Sequence, residues 1–311
     1  MRSLERRQNY SRTVFQLSQM LLSAQGRELN ASMKQIAVLI TCHNRCAKTL
    51  AALTSLFEAA VPEQSVWQVF LVDDGSTDGT TNAVRFQFPQ VTIIHGDGSL
   101  YWCGGMRRAW IEASKQLDYD AYLWLNDDTV LFPNALMLLC HTWESLHNSV
   151  QREVVVCGST TDSSRQYCTY GGRQLTGPLI TPNGTPEPVQ LTNGNILLIP
   201  REIFREVGNL SAHFTHSIGD FDYSLRVVKK GYSCWIAPEY VGICDSGSSP
   251  AWTNPNVPLS KRISNLYSPK GGTYAPEYLR FIYRHFGILK TVKIFLSLHV
   301  RVMIPRIWTH K

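Results

Sequence analysis

The chain has 311 residues, of which 44% are hydrophobic and 17% charged; it reads as a globular protein with one large core, or one core and a small appendage. Thirty basic against 24 acidic residues give a formal charge of +6, which suits anionic substrates or an anionic lipid surface without requiring either, and no nucleic-acid partner is expected. No run of about 18 apolar residues occurs, and Met1–Arg7 lacks the apolar stretch and cleavage site of a signal peptide, so neither export nor a bilayer span is expected.

In chain order, residues 1–33 carry Val14, Phe15, Leu17, Met20, Leu21 and Leu22, the pattern of an amphipathic helix that packs on the main domain or on another subunit. From residue 36 to about 150, β-rich apolar runs alternate with helix-length segments. Ile36–Ile40 is a continuous apolar run, as in a strand buried on both faces. Leu50, Leu53, Phe57 and Val61 then recur at helical spacing. Val69–Val72 predicts a second strand, Gly79–Phe86 a helix, Val91–Ile94 a third strand, Gly104–Leu117 another helix and Ala121–Leu125 a fourth strand. Such alternation predicts βαβ crossovers and a doubly wound α/β sheet, which binds ligands beyond the carboxyl ends of its strands. The eight cysteines, at 42, 46, 103, 140, 157, 168, 234 and 244, form no CxxC pair and read as buried thiols of a reducing cytoplasm.

Polar clusters follow three of those strands: Thr41-Cys42-His43-Asn44-Arg45, Asp73-Asp74-Gly75-Ser76-Thr77-Asp78-Gly79 and Asn126-Asp127-Asp128-Thr129. The second also suits an ordinary turn with a helix cap. The third puts two neighbouring carboxylates after an apolar strand, where they repel each other unless a cation such as Mg²⁺ or Mn²⁺ joins them; a solvated acidic loop is the alternative. Downstream, Thr192-Asn193-Gly194-Asn195 precedes Ile196–Ile199, and Asp220 and Asp222 open a helix that continues through Leu225 and Val228. Gly171–Pro188, rich in Gly, Pro and Thr, predicts a loop.

Together, Ile40–Arg45, Val72–Gly79, Trp124–Thr129 and Gly219–Arg226, in this order, resemble the family 2 glycosyltransferases of GT-A fold over residues 34–285. Gly98–Arg107 further resembles the bacterial, rhamnosyltransferase-like branch. The resemblance implies an α/β, Rossmann-like doubly wound mixed sheet with C-terminal helices. It divides the chain into an extension (1–33), a catalytic domain (34–274, with a nucleotide-sugar half to about 150 and an acceptor half beyond) and C-terminal helices (275–311). It implies an inverting, metal-dependent transfer of a hexosyl or deoxyhexosyl group from a UDP- or dTDP-sugar to a hydroxyl acceptor in bacterial surface polysaccharide or glycolipid assembly.

By the same resemblance Asp220 is the general base. Thr41, Asn44, Arg45, Asp73, Asp74, Gly104, Arg107 and Asp127 bind the donor, and Asn193, Gly194 and Asp222 lie on the acceptor side, Asp222 also pairing with Arg226. Asp128 ligates Mn²⁺ or Mg²⁺. The metal motif reads Asn-Asp-Asp here, and where relatives carry a histidine ligand this chain has Cys244-Asp245, which makes Asp245 the candidate second ligand. Two other readings compete: a sugar-phosphate nucleotidyltransferase, which predicts a glycine-rich phosphate loop that Thr41–Asn44 does not supply, and a non-catalytic nucleotide- or carbohydrate-binding module, which predicts a lost base or metal motif. Residues 278–308 mix apolar with Arg and Lys side chains. Two readings stand for them: a peripheral contact with the cytoplasmic face of the membrane, near a lipid-linked glycan acceptor, or helices that complete the fold or a homo-oligomer interface.

Overall fold

The first strand, β1 (Lys34–Cys42), explains its own apolar run. Alternate side chains of a strand face opposite ways; Ile36, Val38 and Ile40 enter one buried cluster, Ala37 and Leu39 another. Both faces are covered, and full burial of each larger aliphatic side chain contributes roughly 1.5–3 kcal/mol. The computed structural model describes residues 33–308 except 248 and 271; the expected helix near Val14–Leu22 lies outside the described residues.

After β1 come α1 (Cys46–Glu58), β2 (Ser65–Asp73), α2 (Thr80–Gln87), β3 (Thr92–His95), α3 (Tyr101–Gln116) and β4 (Ala121–Leu125). Strands β3, β2, β1 and β4 lie side by side and parallel. The chain continues through β5 (Val130–Leu131), α4 (Ala135–Val150), β6 (Val154–Thr161), β7 (Cys168–Tyr170), β8 (Gly172–Arg173), β9 (Glu187–Val189), β10 (Leu191–Thr192), β11 (Ile196–Pro200), α5 (Arg201–Val207), α6 (Gly219–Lys229) and β12 (Ser233–Ile243). β11 runs antiparallel between β4 and β6, and β12 lies parallel to β6. The result is the expected mixed, doubly wound α/β sheet, in the order β3-β2-β1-β4-β11-β6-β12-β5.

Helices cover both faces. Leu53 of α1 and Leu136 and Leu139 of α4 pack into one cluster; Met106 and Trp110 of α3, Ile203 of α5 and Tyr223 of α6 pack into the other. Helix α3 begins at Tyr101, three residues before the expected start, and absorbs Gly104 and Gly105. The pair is there for packing: a Cβ on Gly105 would fall 2.0 Å from the Thr41 hydroxyl oxygen, so only glycine lets α3 lie this close to β1.

Two further helices end the described chain, α7 (Leu259–Leu266) and α8 (Ala275–Met303). Gly287, with φ of 81° and ψ of 177°, breaks α8 into two arms. Leu298 and Val302 of the second arm share a buried cluster with Ala275 at the start of the first, and Ile294 packs beside Tyr278, so α8 folds back on itself as a helical hairpin. Among the described residues no helix is long and apolar enough to cross a membrane.

Candidate active site

Parallel strands place their carboxyl ends on one rim, and such a rim is where open α/β sheets bind ligands. β1 brings Cys42 there, β2 brings Asp73 and β4 brings Leu125, beside the start of antiparallel β11 at Ile196. The backbone N–H of Asn126 donates to the carbonyl of Asn195 (2.9 Å), which joins the two loops across the rim. The end of β12 adds Cys244.

On one side of this rim stand Asp127 and Asp128. Arg45 bridges them, its Nη1 lying 3.2 Å from Asp127 Oδ1 and 2.8 Å from Asp128 Oδ2, with Lys48 Nζ 4.0 Å from the same Asp128 oxygen. Burial pushes the Asp127 carboxyl up to about 7, against the pull of Arg45 and with the neighbouring Asp128 charge adding to the rise. Its Oδ2 is buried without a hydrogen-bond partner, an arrangement that costs free energy unless a ligand completes it. Cys244 donates its thiol to Asp128 Oδ1 (3.6 Å) and accepts from Asn195 Nδ2 (3.5 Å). Burial, aided by the Asp128 charge, pushes that thiol up to about 12, so it stands here as an S–H donor.

On the other side stands Asp220, in the first turn of α6. Its Oδ2 accepts the N–H of Gly194 (3.0 Å), its Oδ1 that of Phe221 (2.9 Å). Burial raises its carboxyl above the ordinary range while the Gly194 and Phe221 N–H groups pull it back. The turn before it is tightly constrained. Ile218 has φ of 72°, a left-handed conformation that costs a β-branched residue about 1–3 kcal/mol, and a Cβ on Gly219 would meet the Cys103 sulfur at 2.4 Å.

One side chain joins the two sides. Trp102 of α3 lies against Gly194, where an added Cβ would fall 2.5 Å from the ring, and its Nε1–H donates to Asn126 Oδ1 (2.7 Å). The ring meets Trp124 edge-on, with centroids 5.7 Å apart. A connected chain therefore runs from Asp220 through Gly194, Trp102 and Asn126 to the Asp127–Asp128 pair. It also explains the departure at Asn126, whose amide oxygen accepts the indole proton and whose backbone N–H ties the loop to β11. Trp102 lies within the Gly98–Arg107 stretch, but its contact with Gly194 is not legible there, because the two are far apart in the chain; an aromatic residue and a glycine in two site segments are the only signals.

Several expected site residues also make bonds that hold the loops of this rim. Asp73 and Asp74 are 2% and 3% exposed. Asp73 accepts from Ser76 N and from the Thr81 hydroxyl, and Asp74 from Gly98 N and Tyr101 N, so both fold the donor-side loops from within. Thr41 is buried under Gly105, and Asn44 Oδ1 accepts from Thr77 N (2.7 Å). Gly104 lies inside α3 against Leu100. Arg107 Nη1 donates to the carbonyls of Ser211 and Phe214, at 3.0 Å each, and so braces the loop before α6.

Asp222 has a fully buried side chain that accepts from Arg226 Nε (2.9 Å), Arg284 Nη1 (3.0 Å) and His285 Nε2 (2.9 Å), and so ties α6 to α8. Asn193 pairs through backbone and side chain with Gly171. Asp245 Oδ1 accepts from Ser163 N and Oγ, at 2.8 Å each, and these bonds hold the exposed carboxyl below the ordinary range. Among the described residues no group of three His, Cys, Asp or Glu side chains converges as a metal site. A groove lined by Lys34, Asp120, Trp143, Glu144 and Arg201 opens at the opposite, amino-terminal end of the strands, away from this chemistry.

The glycosyl transferase family 2 model matches residues 37–208, more than half of the chain, and the protein belongs to that family. It is a glycosyltransferase by family; Asp220 lies beyond the matched span. No curated protein matches the chain. Among solved structures it is similar to the mannosyltransferase PcManGT from Pyrobaculum calidifontis in complex with GDP-Man and Mn²⁺. That likeness has 17% identity and a TM-score of 0.48, and covers 88% of this chain and 82% of the other.

Proposed function

We propose that the enzyme moves a hexosyl or deoxyhexosyl group, with inversion, from a UDP- or dTDP-sugar to a hydroxyl acceptor in bacterial surface polysaccharide or glycolipid assembly. The observation that carries the reading is the connected rim that sets a burial-raised carboxyl, Asp220, across from the Asp127–Asp128 pair. An inverting transfer needs a base on the acceptor side and charge stabilisation on the leaving side. Asp220 takes the acceptor hydroxyl's proton as that oxygen attacks the anomeric carbon, and the nucleoside diphosphate departs. Gly194 N–H holds the carboxylate in its aim and Trp102 fixes Gly194. The acceptor class rests on the resemblance of Gly98–Arg107.

The donor set fits a hard divalent cation. Mg²⁺ and Mn²⁺ are commonly held by one or two carboxylates plus substrate phosphates, and the unpartnered Asp127 Oδ2 beside Asp128 leaves room for such a partner. Asp128 would be the direct ligand; when bound, the ion would neutralise charge on the diphosphate leaving group. Arg45, on a rim loop and half-exposed, would pair with the diphosphate.

The deciding experiment is nucleoside diphosphate release from a panel of nucleotide sugars with Mn²⁺ or Mg²⁺. Wild type should turn over one donor, with Asp220→Asn and Asp128→Ala each slower by at least about a hundredfold and Asp220→Asn still binding the donor. Full activity in both variants, or no donor bound at all, overturns the assignment.

A further inference from the structure

The hairpin α8 presents a surface that the transfer site does not use. Its first arm packs through Phe281 and Ile282 against Phe214, in the segment that leads into α6, and its second returns through Leu298 and Val302. What these contacts leave outside is apolar. At the tip, Phe286, Ile288 and Leu289 flank Gly287, with Ile288 60% and Leu289 86% exposed. Along the outer face of the second arm Val292, Leu296 and Val300 follow Leu289 at spacings of three and four, all exposed, which is one stripe of a helix.

The stripe continues onto α7. Tyr267 hydrogen-bonds His299 (2.8 Å), His299 lies against Phe295 with centroids 4.1 Å apart, and Leu259 and Ile263 are exposed at four-residue spacing before Tyr267. Solvated proteins seldom leave so many neighbouring large apolar side chains uncovered without a partner.

Charge selects the partner. From Tyr278 to Trp308 there is no Asp or Glu, while Arg280, Arg284, Lys290, Lys293, Arg301 and Arg306 all occur. Lys290 and Lys293 are exposed beside the stripe. A second copy of the chain would bring the same cations face to face and be repelled, whereas an anionic lipid surface attracts them and accepts the apolar stripe. We propose that the α8 tip and outer face, with the adjoining stripe of α7, dock on an anionic bilayer, with Phe286, Ile288 and Leu289 entering the interface and Lys290 and Lys293 meeting lipid phosphates. The first arm of α8 is bonded to α6 through Asp222, so docking holds the helix that carries Asp220 close to the membrane. The inference stands apart from the assignment of the transfer site, and its test uses no nucleotide.

The full chain is sedimented with vesicles of phosphatidylcholine alone or mixed with phosphatidylglycerol, at low and physiological salt. Wild type should bind the anionic vesicles selectively and more weakly as salt rises. Lys290→Ala/Lys293→Ala should bind about twentyfold or more weakly, Leu289→Glu/Leu296→Glu should lose binding, and Asp220→Asn should bind as wild type. Circular dichroism melting, unchanged in the α8 variants, shows that they are folded. Absent binding, equal binding to neutral vesicles, or wild-type binding by either α8 variant overturns the proposal. A dimer broken by the leucine substitutions, without vesicle binding, assigns the surface to a second copy instead.

Discussion

A methyl group on Gly194 would press into the Trp102 ring, which is backed by Trp124 and has little room to retreat. The backbone would have to yield, and with it the N–H that Asp220 accepts. Because that N–H favours the carboxylate, Gly194→Ala should raise the Asp220 pKa further. A base works only when deprotonated, so the acid limb of kcat/KM against pH should move upward, and kcat should fall at least about tenfold. Trp102→Phe, which keeps the ring but removes the donor to Asn126, should lower kcat with a smaller movement of that limb; pH profiles of both variants check this. At this scale the sequence showed which groups gather on the rim better than which partners they take. Asp127, Asp128 and Asp220 do converge on one rim, since each follows a strand end or opens a helix. Asp222, Asp245 and Arg107 carry equally suitable groups, but partners 63, 82 and 104 residues away claim them, and no local pattern announces such contacts.

Between elements, Asp222 is the fastening. It accepts from Arg226 within α6 and from Arg284 and His285 of α8 with no exposure of its own. Burial alone would raise its carboxyl; His285, Arg226 and Arg284 outweigh burial and hold it low. Asp222→Asn should therefore cost about 3–5 kcal/mol in chemical denaturation, as loss of one partner from a buried ion cluster does. The sign with pH follows from the lowered folded value: the contribution is fully present above the unfolded value near 3.8 and is lost as pH falls through the folded one. Acid unfolding should then begin at higher pH in the Arg226→Gln/Arg284→Gln variant than in wild type, a difference that fluorescence melts across pH 2–5 would show as on the order of one pH unit. Helix positions were legible to within a few residues where apolar spacing was regular. The start of α3 was not, because Gly104-Gly105 looks like a turn to any local rule and is instead a close approach to Thr41.

For the whole molecule, the parallel half was plain in the sequence: four apolar runs, three of them buried on both faces and the fourth, β3, partly exposed at the sheet edge, separated by helices of ordinary length. The second half was not, since four of its strands, β7 to β10, have only two or three residues and β11 enters the sheet against the direction of its neighbours, a pairing that hydrophobic pattern does not reveal. That insertion has a consequence for synthesis. Strand β4 is buried throughout, yet one of its edges is closed only by β11, whose first residue, Ile196, follows Leu125 by a long stretch of chain. At ordinary ribosomal speeds of about 5–20 residues per second, the apolar edge of β4 stays open for on the order of 4 to 14 s. A naked, flat, apolar edge is a template for other strands. A fragment ending at residue 150 should accordingly form aggregates by light scattering, whereas the full chain stays dispersed; during translation the edge is a natural landing place for a chaperone.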